Sequence, residues 1–174
     1  MSFQEINVKE LQKNPFVMIG DEWMLVTAKK DDQVNTMTAS WGGVGIMWGK
    51  TVATAYIRPQ RYTKTFVDNG EYFTLSFFGG EHKKALGYLG SVSGKDEPDK
   101  IDKTDLHVTE IDGQPTFEEA KLVLVCKKLY AQEMKEECFM GTEEIEKWYP
   151  NKDYHTMYMA EIVKAYEKYT GSLR

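Results

Sequence analysis

The stretch NTMTASWGGVGIMWGKTVATAYIRPQRYTKTFVDNGEYFTLSFF, residues 35–78, decides how this chain is to be read. Thr36, Thr38 and Ser40 alternate with Met37, Ala39 and Trp41. A strand here would carry hydroxyls on one face and apolar groups on the other. A half-exposed strand accounts for such alternation, since threonine suits strands. Three hydroxyls running into Gly42-Gly43 point further, to a ligand face. The glycines do not complete G-x-G-x-x-G, because Trp48 stands at the last glycine position counted from Gly43, and no strand–turn–helix pattern surrounds them. They read as a loop between strands, with Trp41, Met47 and Trp48 adding apolar surface. Residues 51–57 are rich in valine, alanine and threonine and read as a strand that Pro59 stops. Residues 63–69 read as a short helix with Gly70 as its C-cap, and 71–78 as a further strand. Hydroxyls, Arg58 and Arg61, and backbone amides thus lie close together in sequence. That set suits an anionic, flat, partly apolar ligand.

Working outward, residues 16–19 and 23–28 are two apolar runs separated by Gly20-Asp21-Glu22, and their spacing predicts a hairpin. Residues 8–12 read as a short amphipathic turn before Pro15. Beyond the central stretch, residues 81–89 read as a helix with Ala85, Leu86 and Leu89 facing inward. Residues 91–103 read as a polar surface excursion carrying a short helix, and 106–111 as a strand leading to Asp112-Gly113. Residues 120–134 begin with helix-compatible glutamates nearby, but the continuous run Leu122-Val123-Leu124-Val125-Cys126 predicts a long strand. Residues 142–149 read as a helix with Thr142 as N-cap and glutamates in its first turn. Residues 155–163 alternate as a final strand, and 164–169 continue it or form a short helix. Many strands with short turns and few helices predict a mainly β fold, a closed or split antiparallel barrel. One open seam would favour pairing with a second copy.

The whole chain of 174 residues reads as a single domain, without repeats, linkers or low-complexity segments. Its net charge of -5 argues against a nucleic-acid partner, since there is no long basic face to displace counterions. No run of eighteen apolar residues suggests a membrane span, and the first residues do not read as a signal peptide, so a cytoplasmic protein is expected. Cys126 and Cys138 have neither C-x-x-C spacing nor histidines at ligand spacing, which argues against zinc and against a disulfide. Cys126 reads as a small buried hydrophobe.

N-x-M-T-x-S-W at residues 35–41, I-R-P-x-R-Y-T at 57–63 and the G-E-Y-F-T-L-S-F-F segment at 70–78 together resemble the flavin reductase-like family of FMN-binding split barrels. The resemblance runs over nearly the whole chain. It implies a six-stranded antiparallel Greek-key barrel with a few short helices, assembled as a homodimer with FMN near the subunit interface. It also implies an NAD(P)H-dependent flavin reductase, fed by NADH or NADPH and supplying an oxygenase or another acceptor. The alternative within the family is a flavoredoxin-like electron carrier without direct NAD(P)H activity.

By the same resemblance, Thr38, Ala39, Ser40 and Trp41 would line the isoalloxazine and ribityl chain, and Ile57 and Arg58 would belong to the next flavin-facing segment. Arg58 and Thr63 would hold the phosphate, with Tyr62 and Thr63 at a helix start and Arg61 or Lys83 as helpers. A phosphate dianion favours such a guanidinium, hydroxyl and amide set. A surface salt bridge competes for Arg58, a plain helix cap for Thr63 and a solvated helix face for Lys83. Members of the small flavin reductase type carry a Gly-Asp-His step whose histidine seats the nicotinamide. Here Asp153-Tyr154-His155 matches it in part, with a solvent-exposed histidine as the competing reading. Hydride transfer between nicotinamide and flavin needs no nucleophile, paired catalytic carboxylates or metal, and the sequence offers none of these.

Overall fold

The computed structural model describes residues 2–169. Ten strands form: β1 (Phe3–Ile6), β2 (Met24–Lys30), β3 (Gln33–Ala39), β4 (Gly42–Met47), β5 (Lys50–Ile57), β6 (Tyr72–Phe77), β7 (Val108–Ile111), β8 (Gln114–Phe117), β9 (Leu122–Glu133) and β10 (Thr156–Lys168). Helices α1 (Thr63–Asn69), α2 (Lys83–Ser91) and α3 (Glu143–Trp148) join them. The main sheet runs β3-β2-β6-β9-β10-β5-β4, all neighbours antiparallel, and β1 adds to the far end of β10.

The two ends of that order, β3 and β4, are consecutive in the chain and separated only by Ser40 and Trp41. Three Cα steps reach at most about 11 Å, so the sheet must curl until its ends meet. Residues 33–47 therefore act as one interrupted strand. Its first half pairs with β2 (Ala39 opposite Met24) and its second half with β5 (Gly42 opposite Ala55). Counted so, six strands close the barrel, and the break at Ser40-Trp41 is its split.

All six strands of the barrel supply one apolar cluster, which fixes that cluster as the interior. It includes Val26, Met37, Ala55, Leu75, Leu124 and Tyr158, with Phe66 and Val67 added from α1. Alternate residues of β2 and β9 (Leu25, Val123, Val125) point the other way, into a second cluster with Leu86 and Leu89 of α2 and Phe117 of β8. Both faces of β9 are thus buried, which is why Leu122–Cys126 reads as a continuous apolar run. The Cys126 thiol lies fully buried within it, and burial pushes its pKa up.

Several expectations are corrected. Residues 42–47 are a strand, and Trp48-Gly49, both at positive φ, make the two-residue turn into β5. Gly42 is there for contact, because a Cβ would meet the Thr54 carbonyl oxygen at 2.7 Å. The hairpin expected from residues 16–19 is a wide helical turn, Val17–Asp21, closed by the Glu22 amide on the Val17 carbonyl. Asn14, whose side chain accepts from the Phe16 amide, and Pro15 start it as a helix. Gly70 has φ -107 and caps nothing in the left-handed form, and Thr142 makes no side-chain cap bond. Residues 92–104 contain no helix. They fold as turns over the end of α2, where buried Lys100 donates to the Leu89 and Val92 carbonyls. Residues 164–168 continue β10 as a strand.

Candidate functional site

The break at Ser40-Trp41 opens two adjoining clefts that share Ser40, Trp41, Tyr56 and His155. One, about 470 Å³, is apolar, with Phe16, Ile19, Gly42 and Met134 on its wall. The other, about 400 Å³, is polar and carries Thr38, Ala39, Arg58, Gln60, Arg61 and Trp148. Trp41 stands between them. Its ring meets Trp148 edge-on at 4.9 Å and lies 5.3 Å from the His155 imidazole.

The excursion between β9 and β10 supplies one flank. Its base is pinched where Thr156 pairs with Glu133 and the Met134 amide donates to the His155 carbonyl at 2.9 Å. Within it, Tyr149 and His155 are buried, and the Tyr149 hydroxyl lies 2.7 Å from His155 Nδ1. Burial, and then the Arg58 charge, lower the His155 pKa to about 4, so the ring is neutral at physiological pH. Asp153 is held below the ordinary carboxylate range by hydrogen bonds from Gln60 and then Arg58.

The two arginines differ in their partners. Arg58 pairs with Asp153 at 2.7 Å, donates to the Trp148 carbonyl at 2.9 Å and lies over the Tyr149 ring. The salt bridge that competed as a reading of Arg58 is therefore present. Arg61 donates only to carbonyls, at 2.6 Å to Gly90 and 3.4 Å to Thr38, and has no carboxylate within ion-pair distance among the described residues. Burial and then Arg58 lower its pKa. A half-buried guanidinium without a counter-charge, next to a second one, favours an incoming anion.

Of the residues singled out from sequence, the clefts bring together Thr38, Ala39, Ser40, Trp41, Arg58, Arg61 and His155. Four lie elsewhere. Ile57 is in the barrel interior. Tyr62 packs on Phe66, facing a separate depression beside Gly94. Thr63 is 1% exposed, and its hydroxyl accepts from Asn35 Nδ2. Lys83 sits over the Trp23 ring at 3.3 Å and donates to the Asp21 carbonyl. The hydroxyl face is also thinner than the alternation implied. Thr36 donates inward to the Val26 carbonyl, and Thr38 donates to the Leu86 carbonyl at 2.5 Å. Ser40 alone of the three has no protein partner among the described residues. Gln60, Trp148 and Tyr149 were not anticipated as site residues. The aromatic pair Trp148-Tyr149 before the Asp153–His155 step was the signal for two of them, and Gln60 carried none.

Residues 19–172 match the sequence profile of the flavin reductase like domain. This chain belongs to the flavin reductase-like family. Solved structures agree on the fold. An FMN-binding domain of a flavin reductases-like enzyme from Shewanella baltica superimposes with a TM-score of 0.70 at 15% identity, over 95% of this chain and 77% of that one. Flavoredoxin from Methanosarcina acetivorans gives 0.63 at 20% identity, over 84% and 68%. The styrene monooxygenase flavin reductase from Pseudomonas putida gives 0.63 at 15% identity, over 86% and 80%. No curated protein matches the chain. At these identities the likeness to solved structures establishes the fold, and the chemistry rests on this chain's own residues.

Proposed function

We propose that this flavin reductase-like protein binds FMN across the split and uses it as an NAD(P)H-dependent flavin reductase. One observation carries the reading: Arg61, half-buried and without a carboxylate, opens beside Arg58 into a cleft whose other wall is Trp41. That pairing of aromatic surface with one unneutralised guanidinium fits a flat ring system bearing a phosphate. Arg61 would hold the phosphate, and Arg58 would divide its guanidinium donors between the phosphate and Asp153. Ser40, whose hydroxyl has no other partner among the described residues, and the backbone of residues 39–41 would hydrogen-bond the ring edge. Trp41 would stack against the ring and exclude water. When bound, FMN supplies a hydride acceptor for a dihydronicotinamide and an electron donor for a subsequent oxidant. The protein's part is binding, orientation and a neutral imidazole at the seam.

The homodimer expected from sequence is supported by Ile46, Met47 and Trp48, which leave the tip of the β4–β5 hairpin apolar and exposed. Its apolar surface is continuous in sequence with the split. Among the described residues no helix is long and apolar enough to cross a membrane, and the reading places the protein in the cytoplasm.

The flavoredoxin neighbours support a second reading, an electron carrier reduced by a protein partner. The visible spectrum of purified protein loaded with FMN, before and after anaerobic NADH and then NADPH, separates the two. Bleaching by either nucleotide is the expected result. Flavin bound but unbleached refutes the reductase and leaves the carrier; failure to bind FMN refutes both.

A further inference from the structure

The imidazole of His155 has two unlike sides. Nδ1 faces the Tyr149 hydroxyl at 2.7 Å, whereas Nε2 has no hydrogen-bond partner among the described residues and the ring lines both clefts. The ring is neutral at physiological pH, so one nitrogen carries a proton and the other does not. Which one is decided by Tyr149. The phenol has a single proton and two acceptors within reach, His155 Nδ1 and the Met134 thioether sulfur at 3.8 Å. A thioether is a weak acceptor, and an unprotonated imidazole nitrogen is a strong one. The phenol proton therefore goes to Nδ1, and the imidazole proton is left on Nε2.

Tyr149 is itself well fixed for this task. Its amide closes the last turn of α3 on the Ile145 carbonyl, its ring packs against Phe139 and Tyr154, and the Arg58 guanidinium lies over it at 5.0 Å.

We propose that Tyr149 is a positioning residue that holds His155 in the Nε2–H form, so that the seam presents a neutral N–H donor to a carbonyl-type acceptor of a bound flavin or nicotinamide. The identity of that acceptor rests on the function proposed above; the form of His155 does not. A donor at this place would bind a ligand carbonyl without adding positive charge, leaving anion attraction to the arginines. If Tyr149 were absent, the ring could carry its proton on either nitrogen. A fraction of the molecules would then turn a lone pair toward the ligand.

The test uses protein labelled with ¹⁵N at histidine, without ligand, near neutral pH. His155 is assigned by the loss of its signals in His155→Asn. Long-range ¹H–¹⁵N correlation should show wild-type His155 as one form, protonated at Nε2 and bare at Nδ1. Tyr149→Phe should convert it to a mixture of both forms, while Met134→Leu keeps the wild-type pattern. A proton on Nδ1 in the wild type, or an unchanged pattern in Tyr149→Phe, would overturn the proposal. If Tyr149→Phe does not fold, the wild-type Nδ1 resonance decides: a shift moved from that of a free unprotonated nitrogen toward that of one accepting a hydrogen bond upholds the proposal, and the shift of a free one overturns it. Added FMN should then shift the Nε2 resonance. FMN that binds without moving it would overturn the presentation to ligand. No binding at all, with the Nε2–H form intact, would refute the flavin site and uphold Tyr149 as the residue that sets His155.

Discussion

The depressed pKa of His155 makes stability depend on pH in a window that can be isolated. The ordinary histidine value is 6.5, and burial followed by the Arg58 charge brings it to about 4 in the folded chain. Between those values the unfolded chain binds a proton that the folded chain refuses. The unfolded state then holds more protons, so stability rises with pH through the window. The contribution is present in full above the ordinary value, declines as pH falls toward about 4 and is constant below. At 1.36 kcal/mol per pKa unit the whole effect is on the order of 3 kcal/mol. The other groups at the site do not share the window. Asp153 stays ionised because its pKa is already lowered, and Tyr149, raised by burial, stays protonated. Carboxylates elsewhere do titrate, so the measurement is a difference. Urea unfolding of wild type and His155→Asn, whose amide oxygen can still accept from Tyr149, is followed from about pH 7.5 to about pH 4. The wild type should lose about 2–3 kcal/mol more than the variant over that range. Parallel curves would refute the reasoning, since they would mean His155 titrates alike in both states.

Three further outcomes are expected. Arg61→Met keeps the aliphatic stem but removes the charge, and should weaken FMN binding roughly 10- to 100-fold by fluorescence titration, the value of a charged hydrogen bond; unchanged affinity would remove Arg61 from the phosphate. Gly42→Ala puts a methyl at 2.7 Å from the Thr54 carbonyl oxygen and should cost about 1–3 kcal/mol of stability by urea unfolding, with an undiminished midpoint counting against the close approach of β4 and β5. Leu124→Ala, fully buried in the barrel interior, should cost about 2–5 kcal/mol in the same assay, and a loss under 1 kcal/mol would contradict its place there.

The barrel strands were legible because their side chains carry the pattern. β9 and β10 show it as a buried run and as alternation. The glycine-rich strand β4 was not, because glycine is poor in strand propensity and is placed there by a close backbone approach that only the folded neighbour reveals. Asn14-Pro15 is a helix-start signal that the apolar run after it obscured. Lys100 reads as surface from its polar neighbours, yet it is drawn inward by the unsatisfied carbonyls ending α2. The site shows the same division. Thr38 to Trp41, Arg58 and His155 could be picked out by local motif. The Arg58 partner, Asp153, lies far along the chain, and the inward turn of the Thr38 hydroxyl depends on a helix packed over it. Those facts belong to tertiary structure.

The excursion from residue 134 to 155 leaves the barrel and returns to it at a single rung, Glu133 opposite Thr156, sealed by the Met134 amide on the His155 carbonyl. Its two ends sit side by side, so its length and content are free to vary while the ladder beneath keeps its register. The Ser40-Trp41 break belongs to the barrel and Arg61 to the turn that leaves β5 for α1; Trp148, Tyr149 and Asp153 belong to the excursion. The architecture is therefore a socket with an exchangeable cassette. Transplanting the cassette between barrels of this kind would change which molecules approach the seam and the partners of Arg58, and leave Arg61 on its own carbonyls.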